Sequence, residues 1–189
     1  MTDPQPQLRV DGDFETEYPG ADPTSAECYI NVVRTADQLF AELARRLRAE
    51  AGISSTAMMV LATIDGLGGR STPAEIGRHV VVSSAAITSL IDTNEKHGYV
   101  RRAPDAVDRR RTWVGLTPDG RALVDRLLPG LHHVETDVMG ALAPAERLEL
   151  LRLLAKIQVS VLRVAQQPAS LPNAPRNRPA RLDGNRSTG

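Results

Sequence analysis

The stretch 72–116 constrains the fold more than any other part of the chain, because it predicts two helices, a tight connector and a charged hairpin in succession. Its first four residues, Thr-Pro-Ala-Glu, have the pattern of a capping box, with a hydroxyl at the cap and glutamate at the third helical position. The helix that they begin runs to about residue 79. A β-branched connector at 80–82 follows, and a second helix covers 83–97 and ends at Gly98.

The hairpin is predicted by two extended pieces, 99–103 and 112–116, which are separated by eight residues with a proline and five charges. From residue 96 to residue 111, six basic residues stand against two acidic ones. Helix, connector, helix and hairpin in this order predict a winged helix-turn-helix. In that fold, small polar residues of the second helix approach DNA bases, and cations of the hairpin, or wing, enter the minor groove.

The formal net charge of the whole chain is zero, from 23 basic and 23 acidic residues, and this balance alone argues against a nucleic-acid partner. The charges are unevenly distributed, however. Residues 1–27 carry seven acids and one base, residues 28–165 carry 18 bases and 15 acids, and residues 166–189 carry four bases and one acid. The zero is therefore a cancellation between an acidic N-terminal segment and a basic body and tail.

Apolar residues at helical spacing predict that most of the chain is helical. We therefore predict a mainly α fold with a small β-hairpin wing (α+β), in which a winged helix-turn-helix carries N- and C-terminal dimerisation helices. Both ends are rich in proline and charge, which predicts disorder. The predicted division is a disordered acidic arm at 1–24, a domain at 25–165 and a disordered basic tail at 166–189. Within the domain, the winged helix-turn-helix covers about 53–117, and dimerisation helices cover 25–51, 118–139 and 144–165.

Composition excludes several classes of protein. A single cysteine rules out a disulfide framework and a cysteine-rich zinc module. No apolar run is long enough to cross a membrane, and the acidic N-terminus lacks the apolar core of a secretory signal, so we expect a cytoplasmic protein. No nucleophile–base pair, phosphate loop or carboxylate pair stands out, so we expect neither an enzyme nor a bound cofactor or metal.

Three stretches of sequence carry a resemblance to a known family. They are VSSAAITSLIDTNEKHGYVRR at 82–102, DRRRTWVGLTPDG at 108–120 and the RALVDRLL that follows. They resemble the winged helix-turn-helix core of the multiple-antibiotic-resistance regulator (MarR) family, and the resemblance extends over about 25–165. It implies a transcriptional regulator that dimerises through its terminal helices and binds double-stranded DNA.

The resemblance also implies roles for individual residues. Hydroxyl side chains near the start of the second helix map to the recognition helix. Asp108 maps to the acid that orients the wing, and Arg110 maps to the arginine that reaches the minor groove. Together with the other cations of the hairpin, the predicted DNA-binding set is Ser83, Ser84, Thr88, Ser89, Arg101, Arg102, Asp108, Arg109, Arg110 and Arg111.

The recognition helix departs from the family pattern in two respects. Family members often carry arginine at the positions of Ser89 and Thr93, so the wing is expected to contribute more of the phosphate contacts here. Asn94 stands where a leucine usually packs, on the apolar stripe of Ile87 and Ile91. A buried amide without a partner costs about 1–3 kcal/mol. We therefore expect that Asn94 either has a hydrogen-bond partner or makes this helix pack less firmly than in relatives.

The predicted function is that of a homodimeric repressor on a pseudo-palindromic operator, with two recognition helices about 34 Å apart. By the same resemblance, a small effector, anionic or aromatic, releases the DNA. The candidates to contact an anionic effector are Arg45, Arg46, Arg48 and Arg78.

Two alternatives stay open. A redox or metal sensor on the same scaffold would use Cys28, or His133 with Asp137, which share a helix face at ligand spacing. The tyrosine partners expected for a reactive thiol are absent, which favours an inert Cys28. A helical interaction module that has lost DNA binding would explain the lack of arginine in the recognition helix.

Overall fold

The computed structural model describes residues 7–80, 84–108 and 111–177. These residues form seven helices and three short strands, which is the mainly helical fold with a small sheet that the sequence predicts. The elements are α1 (Phe14–Glu17), α2 (Pro23–Ala51), α3 (Ser55–Gly66), β1 (Arg70–Ser71), α4 (Pro73–His79), α5 (Ser84–Lys96), β2 (Val100–Pro104), β3 (Thr112–Leu116), α6 (Pro118–Met139) and α7 (Pro144–Ala165).

Side-chain caps fix where three of these helices begin. The Ser54 hydroxyl accepts from the N–H of Ala57 at the start of α3 (3.1 Å). The predicted capping box of α4 is confirmed, because Thr72 Oγ1 accepts from the N–H of Glu75 while the Glu75 carboxylate accepts from the N–H of Thr72. Thr117 caps α6 in the same way as Ser54 caps α3. The predicted connector is described only at Val80, and its other two residues and the predicted Ser83 cap lie outside the described residues.

The sheet is antiparallel with strand order β1-β3-β2. The hairpin of β2 and β3 is the predicted wing, whereas β1 was not predicted. Gly68 and Gly69 both have positive φ, which glycine adopts at little cost, and they turn the chain from α3 into β1. The Gly69 carbonyl then accepts from the N–H of Leu116 (3.0 Å). The wing is therefore joined to the helices by a third strand.

The hydrophobic core is aliphatic and lies where α3, α4, α5, α6 and the sheet meet. Leu61, Ile64, Ile76, Ile91 and Val114 are fully buried there. Burying each such side chain contributes roughly 1.5–3 kcal/mol, so this cluster stabilises the arrangement of α4, α5 and the wing.

The chain divides into two compact units, one of residues 40–153 and one of residues 1–39 together with 154–189. In the second unit, part of the predicted disordered arm has a defined conformation. The Asn31 side chain of α2 pairs with both the N–H and the carbonyl of Leu8 (3.0 and 2.8 Å). The Glu27 carboxylate accepts from the N–H of Val10 (3.1 Å). These side chains satisfy the backbone of the arm, which its polar composition alone did not indicate.

The tail also contacts this arm. Arg176 pairs with Glu17 at the end of α1 and lies over the Tyr18 ring, 5.2 Å from its centroid. Asn177 donates its backbone N–H to the Glu17 carbonyl (2.9 Å). Opposite charge on the two ends thus produces a contact between segments that both lack helical period.

The two longest terminal helices leave much of their apolar surface uncovered. Within the described chain, Leu47 is the only buried residue of α2, and α7 has none. The exposed apolar residues of these helices include Tyr29, Phe40, Leu148, Leu151, Val159 and Leu162. No helix in the described parts of the chain is long and apolar enough to cross a membrane.

Candidate nucleic-acid interface

The recognition helix α5 has a buried face and a solvent face. Ile87 and Ile91 are buried in the core, whereas Thr88 and Ser89 are exposed. The Thr93 hydroxyl donates back to the Ser89 carbonyl (2.9 Å), so Thr93 completes a hydrogen bond within the exposed face. The helix therefore presents short polar side chains outward, as a helix that enters a major groove must. Ser84 is its first residue.

Asn94 is the polar member of the buried face, and it is 1% exposed. Its Nδ2 donates to the carbonyls of Leu90 (3.0 Å) and Ala57 (3.3 Å), and the second bond joins α5 to α3. Its Oδ1 has no partner among the described residues. The expected partner of the buried amide is thus present for the donor half and missing for the acceptor half.

Arg102 has a different environment from the one predicted for a DNA contact. Its guanidinium pairs with Asp92 (2.6 Å) and with Glu95, both on α5. The Glu95 carboxylate also accepts from the N–H of Arg102 (3.0 Å). Arg102 therefore joins β2 to the recognition helix. Arg101 lies on the opposite face of the strand and is exposed.

Asp105, three residues before Asp108, organises the start of the wing loop. Its Oδ1 accepts from the N–H groups of Val107 (2.8 Å) and Asp108 (2.9 Å), and its Oδ2 accepts from Trp113 Nε1 (2.6 Å). The bonds from Asp108, Val107 and Trp113 stabilise the carboxylate and lower the pKa of Asp105 to about 2. Sequence reasoning missed Asp105, although an aspartate that begins a turn after a proline is a signal for such bonds.

Trp113 and Glu75 hold Arg111 at the base of the loop. The Arg111 guanidinium lies 4.2 Å from the centroid of the Trp113 ring, and its Nη2 is 3.4 Å from Glu75 Oε1. Hydrogen bonds from Thr72 and Ser71, together with the charge of Arg111, lower the pKa of Glu75 to about 2. Arg111 thus connects the wing to the start of α4. Arg109 and Arg110 lie outside the described residues.

A depression of about 370 Å³ lies between the second half of α2 and α6. Arg45, Arg46 and Arg126 line it together with apolar residues that include Leu47 and Leu131. Arg45 and Arg46 also pair with Glu42 (2.7 and 2.6 Å), and their hydrogen bonds lower the pKa of Glu42 to about 2. Two of the four predicted effector contacts therefore share this depression. Arg48 and Arg78 are exposed elsewhere.

The residues named for a redox or metal sensor are all exposed. Cys28 lies on α2, and His133 and Asp137 lie on α6. The described part of the chain holds no cluster of three or more histidine, cysteine or acidic side chains arranged for a metal ion.

The fold and the arrangement of α4, α5 and the wing define a winged helix-turn-helix protein. Residues 51–111 match the model of the MarR family. This segment is similar to the family that the sequence resembles, and the match covers about a third of the chain.

Two relatives illustrate the similarity in sequence. The HTH-type transcriptional repressor NicR of Pseudomonas putida is 34% identical over 89 residues, which are 47% of this chain and 56% of NicR. The HTH-type transcriptional regulator YwaE of Bacillus subtilis is 28% identical over 127 residues, which are 67% of this chain and 74% of YwaE. The match thus spans little more than half the length of NicR.

Solved structures agree in fold. BpsR of Bordetella bronchiseptica, whose DNA binding is regulated by 6-hydroxynicotinic acid, has a TM-score of 0.58 and 25% identity. The match covers 67% of this chain and 96% of BpsR. The MarR family regulator Sco3205 of Streptomyces coelicolor, solved in complex with DNA, has a TM-score of 0.68 and 20% identity. That match covers 79% of this chain and 95% of Sco3205.

Proposed function

We propose that this chain is a sequence-specific DNA-binding transcriptional repressor that acts as a homodimer. The observation that carries the proposal is the solvent face of α5, with Thr88 and Ser89 exposed, beside a wing whose loop is fixed by Asp105 and whose sequence continues into three arginines. The relatives NicR, a transcriptional repressor, and BpsR, whose DNA binding is regulated, support the same function.

In this proposal α5 lies in the major groove, where Ser83, Ser84, Thr88 and Ser89 contact base edges and phosphates. Arg109 and Arg110 enter the adjacent minor groove, whose narrow A·T-rich segments attract arginine. Arg102 and Arg111 act as positioning residues, since their guanidinium groups are bound to Asp92, Glu95 and Glu75. Asp108 lies in the loop that Asp105 fixes.

The homodimer would form through the exposed apolar faces of α2 and α7. Leu148, Leu151 and Leu162 of α7 are 69%, 64% and 67% exposed, and large apolar side chains exposed along one helix are typical of an interaction surface. A two-fold axis would place two recognition helices about 34 Å apart, in successive major grooves of a pseudo-palindromic operator.

A small effector would control the repressor from the depression between α2 and α6. Its walls combine the guanidinium groups of Arg45, Arg46 and Arg126 with apolar side chains, which suits a small aromatic anion. BpsR responds to 6-hydroxynicotinic acid, a compound of this class. The effector shifts the dimer away from its DNA-binding conformation only by as much as it binds the other conformation more tightly.

The test is a DNA titration at several salt concentrations with the full chain and its own upstream DNA. Binding should weaken steeply with salt, and in an Arg109→Ala/Arg110→Ala variant the slope should fall by about 2, because two cations no longer displace counterions from the DNA. Arg45→Ala/Arg48→Ala removes two exposed arginines of α2 and serves as the charge-matched control. A flat slope, or equal slopes for the two double variants, would contradict the proposal.

A further inference from the structure

The outer face of the wing sheet carries two arginines with an empty position between them. In the sheet register Arg70 is paired with Gly115, and Gly115 is paired with Arg101. Residues paired across neighbouring strands point to the same face. The neighbouring row, Ser71–Val114–Arg102, points to the other face, and its first two members are buried. Arg70 and Arg101 therefore flank a glycine on the solvent side.

This row forms the floor of a cleft of about 610 Å³. Trp113 lines the cleft toward the wing loop, and Gly69 and Arg121 line its other end. Arg121 is paired with Asp65, and the Asp105 carboxylate at the rim is occupied by Trp113 and two backbone N–H groups. Two of the cleft's cations, Arg70 and Arg101, have no carboxylate partner within the described residues.

The spacing of the two arginines suits a tetrahedral oxyanion. Strands lie about 4.8 Å apart, so the two Cα atoms, one strand apart on either side of β3, are roughly 10 Å apart. Guanidinium groups that lean inward across this gap can each donate two N–H groups to a phosphate. A Cβ at Gly115 would meet its nearest neighbours at 3.6 Å, which is ordinary contact. Packing therefore does not require glycine at position 115. The effect of Gly115 is to leave the floor of the cleft open between the two arginines.

We propose that this cleft binds a phosphate group between Arg70 and Arg101. The phosphate belongs either to the DNA backbone beside the wing, a source that rests on the proposed function, or to a small phosphate-bearing molecule. Binding would be sensed by the wing, because Arg70 lies 4.8 Å from the centroid of the Trp113 ring and the same indole donates to Asp105. An anion that draws Arg70 toward Gly115 changes the contact between Arg70 and this ring.

Trp113 is the only tryptophan of the chain, so its fluorescence reports on the cleft. The full chain is titrated with inorganic phosphate at constant ionic strength, with chloride as the replaced anion. We expect a saturable change in Trp113 fluorescence. In Arg101→Ala this change should be lost, or the affinity for phosphate should be at least about tenfold weaker. Gly115→Val, which fills the floor and keeps both cations, should weaken phosphate binding equally. Arg9→Ala removes an arginine of the N-terminal segment that pairs with Glu27, outside the cleft and outside the effector depression, and should behave as the parent chain does.

The second arm measures the salt dependence of binding to a random-sequence duplex, where removing one phosphate-neutralising cation lowers the slope by about 1. A slope lowered by Arg101→Ala, without a saturable phosphate titration, identifies the DNA backbone as the source. A saturable phosphate titration that depends on Arg101 identifies a small phosphate-bearing molecule as the source. This result would support the phosphate site even if the chain bound no DNA. If Arg101→Ala changes neither measurement, the cleft is not a phosphate site, whereas the Arg109→Ala/Arg110→Ala test still decides the proposed function.

Discussion

Asn94 places an amide in an aliphatic core, with its donor half bonded and its acceptor half unpaired among the described residues. A buried polar atom without a partner costs about 1–3 kcal/mol, and leucine at this position would remove that cost and add apolar contacts. We expect Asn94→Leu to raise the free energy of unfolding by about 1–3 kcal/mol in urea denaturation. Asn94→Ala should gain less, because it leaves a void. A leucine variant that is less stable than the parent would show that the amide is satisfied.

The wing loop should be sensitive to acid through Asp105. Its pKa is about 2 in the folded chain against an ordinary value of 3.8, so its carboxylate contributes stability above pH 3.8 and loses that contribution as the pH falls toward 2. We expect Trp113 fluorescence to change in this interval because the indole loses its acceptor.

The matched variant for this measurement is Asp105→Asn, which keeps the size of the side chain and removes its titration. The Asp105-dependent part of the acid transition should then disappear. The remainder is assigned to Glu75, whose pKa is also about 2 and whose carboxylate contacts Arg111. Identical acid profiles for the parent and Asp105→Asn would contradict the role given to Asp105.

The partner of a side chain can be predicted from the sequence when it lies within the same turn of chain, and not when it lies on another element. The capping box of Thr72 depends on a group three residues away, and the sequence predicts it correctly. The partners of Arg102 lie seven and ten residues away on another element, and no spacing rule indicates them. Arg102 consequently looked like one more cation of the wing.

The wing and α6 approach each other closely at Gly120. Of the described glycines, Gly120 leaves the least room for a side chain. A Cβ on Gly120 would overlap the carbonyl of Tyr99. That same carbonyl accepts from the N–H of Thr117, the residue that caps α6 (3.0 Å). Glycine at this position therefore lets the start of α6 lie against the base of the wing.

We expect Gly120→Ala to lower the free energy of unfolding by about 1–3 kcal/mol or more, because the backbone of Tyr99 or of α6 must move. Gly130, in the same helix, has open space within 4 Å of the place that a methyl group would take. Gly130→Ala should therefore stabilise the chain by about 0.5–1 kcal/mol through helix propensity. Thermal unfolding of the two variants is the measurement. Equal shifts would contradict the packing described for Gly120.

The long helices were predictable as elements, whereas the third strand was not. Apolar periodicity and proline at the first helical position mark α6 and α7, and the bounds of both agree with the sequence prediction. The two residues of β1 are too short for any periodicity, and they become a strand only because Ser71 and Arg70 pair with β3. The sequence therefore predicts the β2–β3 hairpin of the wing sheet but not its edge strand β1.

For the molecule as a whole, the uncovered faces of α2 and α7 predict self-association. The full chain should sediment as a dimer, and Leu151→Glu/Leu162→Glu should sediment as a folded monomer, because two charges would be buried in the interface. Leu171→Glu changes a leucine that is 93% exposed outside the helices and should stay dimeric. A monomeric parent chain would contradict the proposed dimer.

Net charge is the property of the whole chain that predicts least about the site. The formal zero conceals six basic residues between positions 96 and 111, and two of these, Arg102 and Arg111, have carboxylate partners. The sequence predicts the basic wing, and the structure shows which of its described cations are already bound. The useful quantity for DNA binding is therefore the number of arginines that remain available after folding.

Sequence-specific DNA binding is tested most directly by sequencing the genomic DNA fragments that the purified full chain retains at physiological salt. We predict one enriched pseudo-palindromic motif with half-sites about one helical turn apart, centre to centre. The enrichment should be lost in the Arg109→Ala/Arg110→Ala variant and kept in Arg45→Ala/Arg48→Ala. Retained DNA without an enriched motif, or the same motif in the wing variant, would contradict a repressor that reads its operator through α5 and the wing.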